Sequence, residues 1–178
     1  MIQNHEIDYF LHGEEMQCVE IELDPQETVI AEAGSFMYMD NGIEMQTIFG
    51  DGSQTNSGLL GKILGAGKRL LVGESLFMTA FTNLGHGKKR VSFAAPYAGK
   101  IVPLNLAHLG GKIICQKDAF LCAAKGVSVG IEFQRKLGTG LFGGEGFIME
   151  KLEGDGMAFM HAGGYIIEKE LQAGEKAR

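Results

Sequence analysis

The sequence predicts an all-β protein, an antiparallel double-stranded β-helix or β-sandwich built from internal repeats and containing little helix. Three observations favour this class: apolar and polar residues alternate in short segments, glycine is abundant, and part of the sequence repeats. Glycine accounts for 27 of the 178 residues and proline for only 3. Because glycine provides the backbone conformations of tight turns and bulges, this composition is typical of many short strands. We expect one β-roll domain over residues 1–178.

Alternation at two places predicts strands with one buried face. Residues 19–23 carry apolar side chains at every other position, namely Val19, Ile21 and Leu23, and residues 127–133 show the same pattern. A period of two places these side chains on one face of a strand. Turn residues separate many such short segments, which is the pattern of a sandwich or roll.

A repeat relates the two halves of the chain. Residues 29–45 resemble residues 113–129 without a gap at a spacing of 84, so that Phe36 falls on Phe120. The likeness resumes at a spacing of 71, where GESLFM from Gly73 matches GEGFIM from the second half. The first unit therefore contains an insertion. We predict two pseudo-repeats, at about 15–100 and 101–165.

The end of the sequence resembles the start of a third unit. Residues 19–27 resemble residues 167–175, so we predict that 166–178 is the opening strand of a third unit. Units of a repeat protein cover one another's apolar faces. We therefore expect either a shortened form or a second subunit that covers the exposed face. The alternative is a chance resemblance of a closing strand.

Charge and cysteine content suggest a cytoplasmic protein that does not favour nucleic acid. The formal net charge is −6, whereas binding to phosphate backbones requires clustered Lys and Arg. The three cysteines are an odd number, and the sequence starts without a signal peptide, which indicates reduced thiols. No apolar run reaches the length of a membrane-spanning helix.

The segment 59–71, LLGKILGAGKRLL, has several interpretations. It is the only candidate helix, and its glycines disfavour one. It lacks the spacing and the hydroxyl of a phosphate-binding loop. Its leucines and basic residues suit either a loop that packs on the sheet or on a neighbouring subunit, or a surface for a peripheral membrane or protein partner. Residues 135–142 have the same character, which favours a structural role.

Metal and cofactor chemistry is weakly supported. The five histidines form no short cluster with one another or with glutamates. Cys115 and Cys122 are interpreted as core thiols rather than metal ligands. We therefore predict no metal ligands, no cofactor and no cofactor-binding residues.

Catalytic residues are likewise not assigned. No serine lies on a Gly-x-Ser-x-Gly turn. Glu74 and Glu145 follow a glycine in both units, and they are either a paired carboxylate site or, as we favour, residues that cap turns. Lys117 and Asp118 precede Phe120 and could form salt bridges between subunits or a charged rim. Enzyme activity stays open, although the sequence favours a protein that is not an enzyme.

Four strings together resemble one family. They are GESLFMT from Gly73, FAAPYAGK from Phe93, ICQKDAFLCAA from Ile114 and FGGEGFIM from Phe142. In this order they resemble the altered-inheritance-of-mitochondria family of bacteria and fungi, formerly a domain of unknown function. The resemblance covers nearly the whole chain. It implies a fold similar to the tryptophan RNA-binding attenuator protein, often in ring-like or trimeric assemblies, and it provides no catalytic residues. Family members usually continue through a third unit.

Three functions follow as hypotheses. The first is a non-enzymatic, self-associating scaffold or assembly protein that forms a homo-oligomer, with a trimer as one arrangement. The second is a small-molecule-binding β-roll module or cryptic enzyme that uses the interior of the roll. The third, less favoured because of the acidic charge, is an RNA-binding ring.

Overall fold

Strands dominate the part of the chain that the computed structural model describes, which comprises residues 6–49, 77–135 and 147–176. The strands in these ranges are β1 Asp8–His12, β2 Cys18–Leu23, β3 Thr28–Glu32, β4 Phe36–Met39, β5 Ile43–Phe49, β6 Phe77–Asn83, β7 Lys89–Ala94, β8 Gly99–Asn105, β9 Lys112–Gln116, β10 Phe120–Ala124, β11 Ser128–Arg135, β12 Phe147–Glu153 and β13 Met157–Gly163. Two short 3₁₀ helices, Leu106–Leu109 and Lys117–Ala119, flank β9. The all-β class predicted from the sequence is confirmed.

The strands form three antiparallel sheets. The first sheet has the order β1-β2-β7-β4, the second β5-β6-β3-β10-β13-β8, and the third β11-β12-β9. Two buried clusters of apolar side chains separate them. One cluster joins the first sheet to the second, through Phe93 and Phe159, and the other joins the second sheet to the third, through Ile30 and Leu152. The second sheet is therefore the central layer, because it contributes side chains to both clusters.

The same strand pairings occur in each half of the chain. In the first half β2 and β4 flank β7, and β3 and β5 flank β6. In the second half β8 and β10 flank β13, and β9 and β11 flank β12. A register shift occurs between Phe36 and Tyr38 on β4, and another between Phe120 and Cys122 on β10. These bulges are separated by the 84-residue spacing of the sequence likeness.

One strand pair joins the two halves. Strand β3 pairs with β10, with Ala31 opposite Cys122 and Ile30 opposite Ala123. This pairing places the first half's β5-β6-β3 and the second half's β10-β13-β8 in one continuous sheet. We call it the β3–β10 junction.

The predicted alternation is confirmed in β2, and β11 contains a register shift. Val19, Ile21 and Leu23 are fully buried, as the period of two predicts. Glu20 on the opposite face is also buried, because it accepts hydrogen bonds from Tyr38 Oη at 2.8 Å and from Arg90 at 3.2 Å. In the second predicted segment Val127 and Val129 are buried, and a register shift in β11 follows Ile131.

Several predictions concern regions that carry no described strand. Residues 164–176 follow β13 outside any strand and are largely exposed, so the third unit predicted at 166–178 stays a prediction. The segment 59–71 and the residues Glu74 and Glu145 lie outside the described residues. Within the described ranges, no helix is long and apolar enough to cross a membrane. The winding of a double-stranded β-helix and the likeness to the attenuator protein also stay predictions.

Candidate functional site: an acidic pocket at the β3–β10 junction

A pocket of about 250 Å³ opens beside the β3–β10 junction. Three segments form it: the turn between β3 and β4, the connection from β7 to β8, and the start of β10. The two halves of the chain therefore both contribute to its walls. The lining residues are Glu32, Ala33, Gly34, Ser35, Ala94, Ala95, Pro96, Tyr97, Asp118, Phe120 and Leu121.

Hydrogen bonds across the junction hold the walls of the pocket in place. Gly34 provides the positive φ, 94°, that the turn after β3 requires. The turn directs the Ser35 hydroxyl to the carbonyl oxygens of Glu32, at 2.9 Å, and Leu121, at 3.2 Å. On the opposite wall the Tyr97 hydroxyl donates to the Asp118 carbonyl at 3.3 Å. These contacts tie the first half of the chain to the second.

Glu32 is the acidic residue of the pocket wall. It lies at the end of β3, where the strand meets the second half of the chain. Burial raises the pKa of its carboxyl group to about 7, with Lys117 lowering it and Asp118 raising it further. The group is therefore about half protonated at neutral pH.

Glu150 is a second carboxyl group close enough to interact electrostatically with Glu32. It lies in the middle of β12 with 1% of its surface exposed, and its Oε2 atom has no hydrogen-bond partner in the described chain. Burial raises its pKa to about 8, and the charge of Glu32 contributes. A buried carboxylate without a partner is costly, so this group holds its proton at pH 7.

The thiol of Cys115 shares this electrostatic environment. It lies opposite Glu150 in the register of β9 and β12. Burial raises its pKa to about 12, with contributions from Glu150 and Glu32. Because the nucleophile is the thiolate, this cysteine is not activated for covalent catalysis.

A buried histidine lies behind Tyr97. The His161 ring contacts the Tyr97 ring edge to face, with 4.7 Å between ring centroids. Burial lowers the pKa of His161, so the imidazole is neutral at pH 7. The ring also packs directly over Gly99, where a Cβ atom would collide with it. Its position is thus set by packing against the wall of the pocket.

The arrangement can exchange protons and accept hydrogen bonds. Of the two carboxyl groups with raised pKa values, Glu32 lines the pocket and would bind a cationic or hydrogen-bond-donating ligand, since release of its proton compensates for the charge of the ligand. No group of three or more His, Cys, Asp or Glu residues in the described ranges has an arrangement that could hold a metal ion.

The structure brings some sequence-predicted residues to this pocket. Lys117 and Asp118, predicted as an intersubunit bridge or rim, lie beside it and act on the pKa of Glu32. The core position predicted for Cys115 and Cys122 is confirmed.

The sequence reasoning missed Glu32 and Glu150, although a signal for Glu150 exists. It lies on the same side of the alternation as Leu152, which is fully buried. A charged residue at a buried position of a strand indicates an unusual site.

Fold and site together define a class: an all-β protein of consecutive, similarly paired strand groups, with an acidic pocket where two groups join. Its family is shown by comparison. The chain belongs to the Mitochondrial biogenesis AIM24 family, whose sequence model matches residues 9–178. The family resemblance predicted from the sequence is confirmed.

Two relatives come from Streptococcus pyogenes. An uncharacterized protein of serotype M6 is 32% identical over 160 residues, which cover 88% of this chain and 60% of the relative. The crystal structure of another S. pyogenes protein superposes with a TM-score of 0.62 at 21% identity, covering 89% of this chain and 66% of that one. The second likeness shows the fold alone. The chain thus spans under two thirds of the length of either relative.

Proposed function

We propose that this chain is a non-enzymatic scaffold that works by self-association. One observation carries the proposal: corresponding strands of the two halves differ sharply in exposure. The side chain of Phe36 on β4 is 38% exposed, whereas Phe120 on β10 is 2% exposed. Tyr38 and Cys122, two residues further along, are 48% and 0% exposed.

The difference has a structural cause. Strand β10 has two neighbours, β13 and β3, whereas β4 has β7 alone among the described strands. Strand β4 has the apolar side chains of a strand in the middle of a sheet, yet it lies at the edge of its sheet. An uncovered apolar edge strand is prone to pair with another chain, and soluble proteins normally protect such strands. Self-association provides the missing cover.

Native mass spectrometry tests this function, with light scattering after size exclusion as a second measure of mass. We expect a stable oligomer without a retained ligand at micromolar concentration. A chain that stays monomeric across that range overturns the proposal. A cytoplasmic setting, a trimer, and contact with a membrane or protein through 59–71 are further expectations of this proposal.

A second candidate function is small-molecule binding at the acidic pocket. The observation that favours it is Glu32, which lines the open pocket with its carboxyl pKa raised to about 7; Glu150, whose pKa is about 8, lies outside the lining. Perturbed carboxyl groups in a pocket are common at binding sites. The same native mass spectrum decides: a stoichiometric organic mass that Glu32→Gln abolishes would support this function, and its absence would reject it.

A further inference from the structure

Six strands lie at sheet edges in the described part of the chain. They are β1 and β4 in the first sheet, β5 and β8 in the second, and β11 and β9 in the third. We call two strands counterparts when they occupy the same position in the two halves of the chain. Among these six edge strands, only β4 and β9 have counterparts that pair with each other. The counterpart of β4 is β10, the counterpart of β9 is β3, and β3 and β10 form the junction between the two halves.

Strand β9, like β4, is more exposed than the corresponding strand of the other half. Ile114 on β9 is 45% exposed, whereas its counterpart Ile30 on β3 is 1% exposed. Strand β3 lies between β6 and β10, but β9 has β12 as its only described neighbour. Among the described strands, the two edges are thus the two sides of one junction, each without its partner.

We propose that β4 of one copy of this chain pairs antiparallel with β9 of a second copy, reproducing the β3–β10 junction between molecules. The proposal rests on the self-association proposed above and names its surface. The register follows from the junction within the chain. Since Ala123 lies opposite Ile30, Met39 of one copy lies opposite Ile114 of the other. Likewise Tyr38 lies opposite Cys115.

The resulting sheet has the same order as the central sheet. Strands β11, β12 and β9 of one copy continue into β4, β7 and β2 of the other, just as β5, β6 and β3 continue into β10, β13 and β8 within the chain. Backbone groups at both edges gain partners, and the exposed side chains of β4 and β9 are covered. Strand β1 ends the new sheet beside β2.

The contact is head to tail, because each copy offers β4 to one neighbour and β9 to another. Heterologous contacts of this kind give closed rings when the rotation closes and open filaments when it does not. Each copy then contributes one complete central sheet and two half-sheets that are completed between copies.

Cross-linking of mixed copies tests the pairing and its register. One variant carries Met39→Cys and the other Ile114→Cys, and the two are refolded together from urea and oxidised mildly. Opposed residues of antiparallel strands lie within disulfide range. We expect a linked dimer in the mixture, assigned by peptide mass spectrometry to positions 39 and 114, and none in either variant alone.

A register control uses Ile113→Cys in place of Ile114→Cys, since the neighbouring side chain points to the opposite face of the strand. We expect on the order of tenfold less linkage with this partner. If Met39→Cys loses its native circular dichroism, Tyr38→Cys replaces it and is oxidised without a second variant, since native Cys115 of a neighbouring copy is its expected partner and Cys115→Ser in the same chain should abolish the linkage. Tyr38→Phe then controls for the lost hydroxyl that donates to Glu20.

The outcomes distinguish failure of the β4–β9 pairing from failure of the proposed self-association. A wild-type oligomer whose mixed variants link no better than the register control overturns the β4–β9 pairing and leaves self-association standing. Linkage that is as strong in Met39→Cys alone or in Ile114→Cys alone also overturns the head-to-tail arrangement. A wild-type monomer overturns both proposals.

Discussion

The negative charge of Glu32 on β3 raises the pKa of Glu150 on β12. Glu32 lies at the end of β3 in the central sheet, and Glu150 lies in the middle of β12 in the third sheet. Burial is the main cause of both raised values, about 7 for Glu32 and about 8 for Glu150. The folded protein therefore binds protons that an unfolded chain would release.

The first prediction concerns stability against pH. Both carboxyl groups have folded pKa values above the ordinary 4.5. Between the ordinary pKa of 4.5 and the raised folded values, the folded state binds more protons than the unfolded state. The free energy of unfolding therefore falls as pH rises from about 5 to 8. Glu150→Gln cannot ionise and should remove much of this fall, on the order of a few kcal/mol. Urea denaturation of both proteins from pH 5 to pH 9 measures the difference.

The matched control for this substitution is Glu153→Gln. Glu153 ends the same strand, has a side chain that is 45% exposed, and contacts Lys151 Nζ at 3.0 Å. Its removal should leave the slope between pH 5 and pH 8 as in the wild type. Parallel stability curves for wild type and Glu150→Gln would contradict a buried, raised carboxyl group at this position.

The local alternation of apolar and polar residues was sufficient to predict β2, but it was insufficient to predict the pocket. The alternation of Val19, Ile21 and Leu23 reports burial because each strand's two faces meet different surroundings. The proximity of Glu32 to Glu150 depends instead on how separate sheets stack, which no local pattern encodes. Periodicity also does not predict strand pairing over a separation of about ninety residues, as between β3 and β10.

The burial of Glu20 and the register shift in β11 were not predicted from the sequence, for physical reasons. The alternation places Glu20 on the face opposite Val19 and Ile21, but Tyr38 and Arg90 from neighbouring strands hydrogen bond to its carboxylate and shield it. The register shift after Ile131 results from strand pairing with β12, so residues within β11 did not predict it. Both depend on neighbours that are distant in sequence.

The second prediction is that Gly99→Ala destabilises the fold. A Cβ atom at Gly99 would collide with the carbonyl oxygen of Ala162 and the ring of His161. Overpacking against backbone costs about 1–3 kcal/mol. Thermal unfolding should show a lower midpoint, and the near-ultraviolet signal of Tyr97, which contacts His161, should change.

Gly130→Ala is the comparison for this effect. Gly130 lies in β11, and a Cβ there meets nothing within 4 Å. Its replacement should leave the midpoint unchanged or raise it slightly, because alanine restricts the unfolded chain. Equal losses for both variants would show that glycine at position 99 is not required by close packing.

The third prediction orders the reactivity of the thiols. Cys122 is fully buried and burial raises its pKa, Cys115 is buried with a pKa of about 12, and Cys18 is only partly buried. At pH 8 iodoacetamide should modify Cys18 first. Cys115 and Cys122 should react roughly a hundredfold more slowly than in urea, because thiolate must form and the strands must open. Peptide mass spectrometry over time measures all three, and rapid native labelling of Cys122 would contradict its place in the core.

The fourth prediction tests the β9 edge by charge. Ile114 is exposed in the single chain, so Ile114→Lys should change the free energy of unfolding of the monomer by at most about 0.5 kcal/mol. A lysine on an edge strand opposes pairing with another chain, so the variant should dissociate into monomers. Light scattering after size exclusion reads the mass directly.

Leu109→Lys separates this edge effect from a general loss of exposed apolar surface. Leu109 is similarly exposed and belongs to the 3₁₀ helix that precedes β9, outside any edge strand. This variant should keep the wild-type mass. If both variants dissociate, the contact depends on apolar surface around β9 rather than on strand pairing; if neither does, β9 is not at the interface. Dissociation of Ile114→Lys alone is the result that pairing of the β9 edge requires, because only that position faces the added strand.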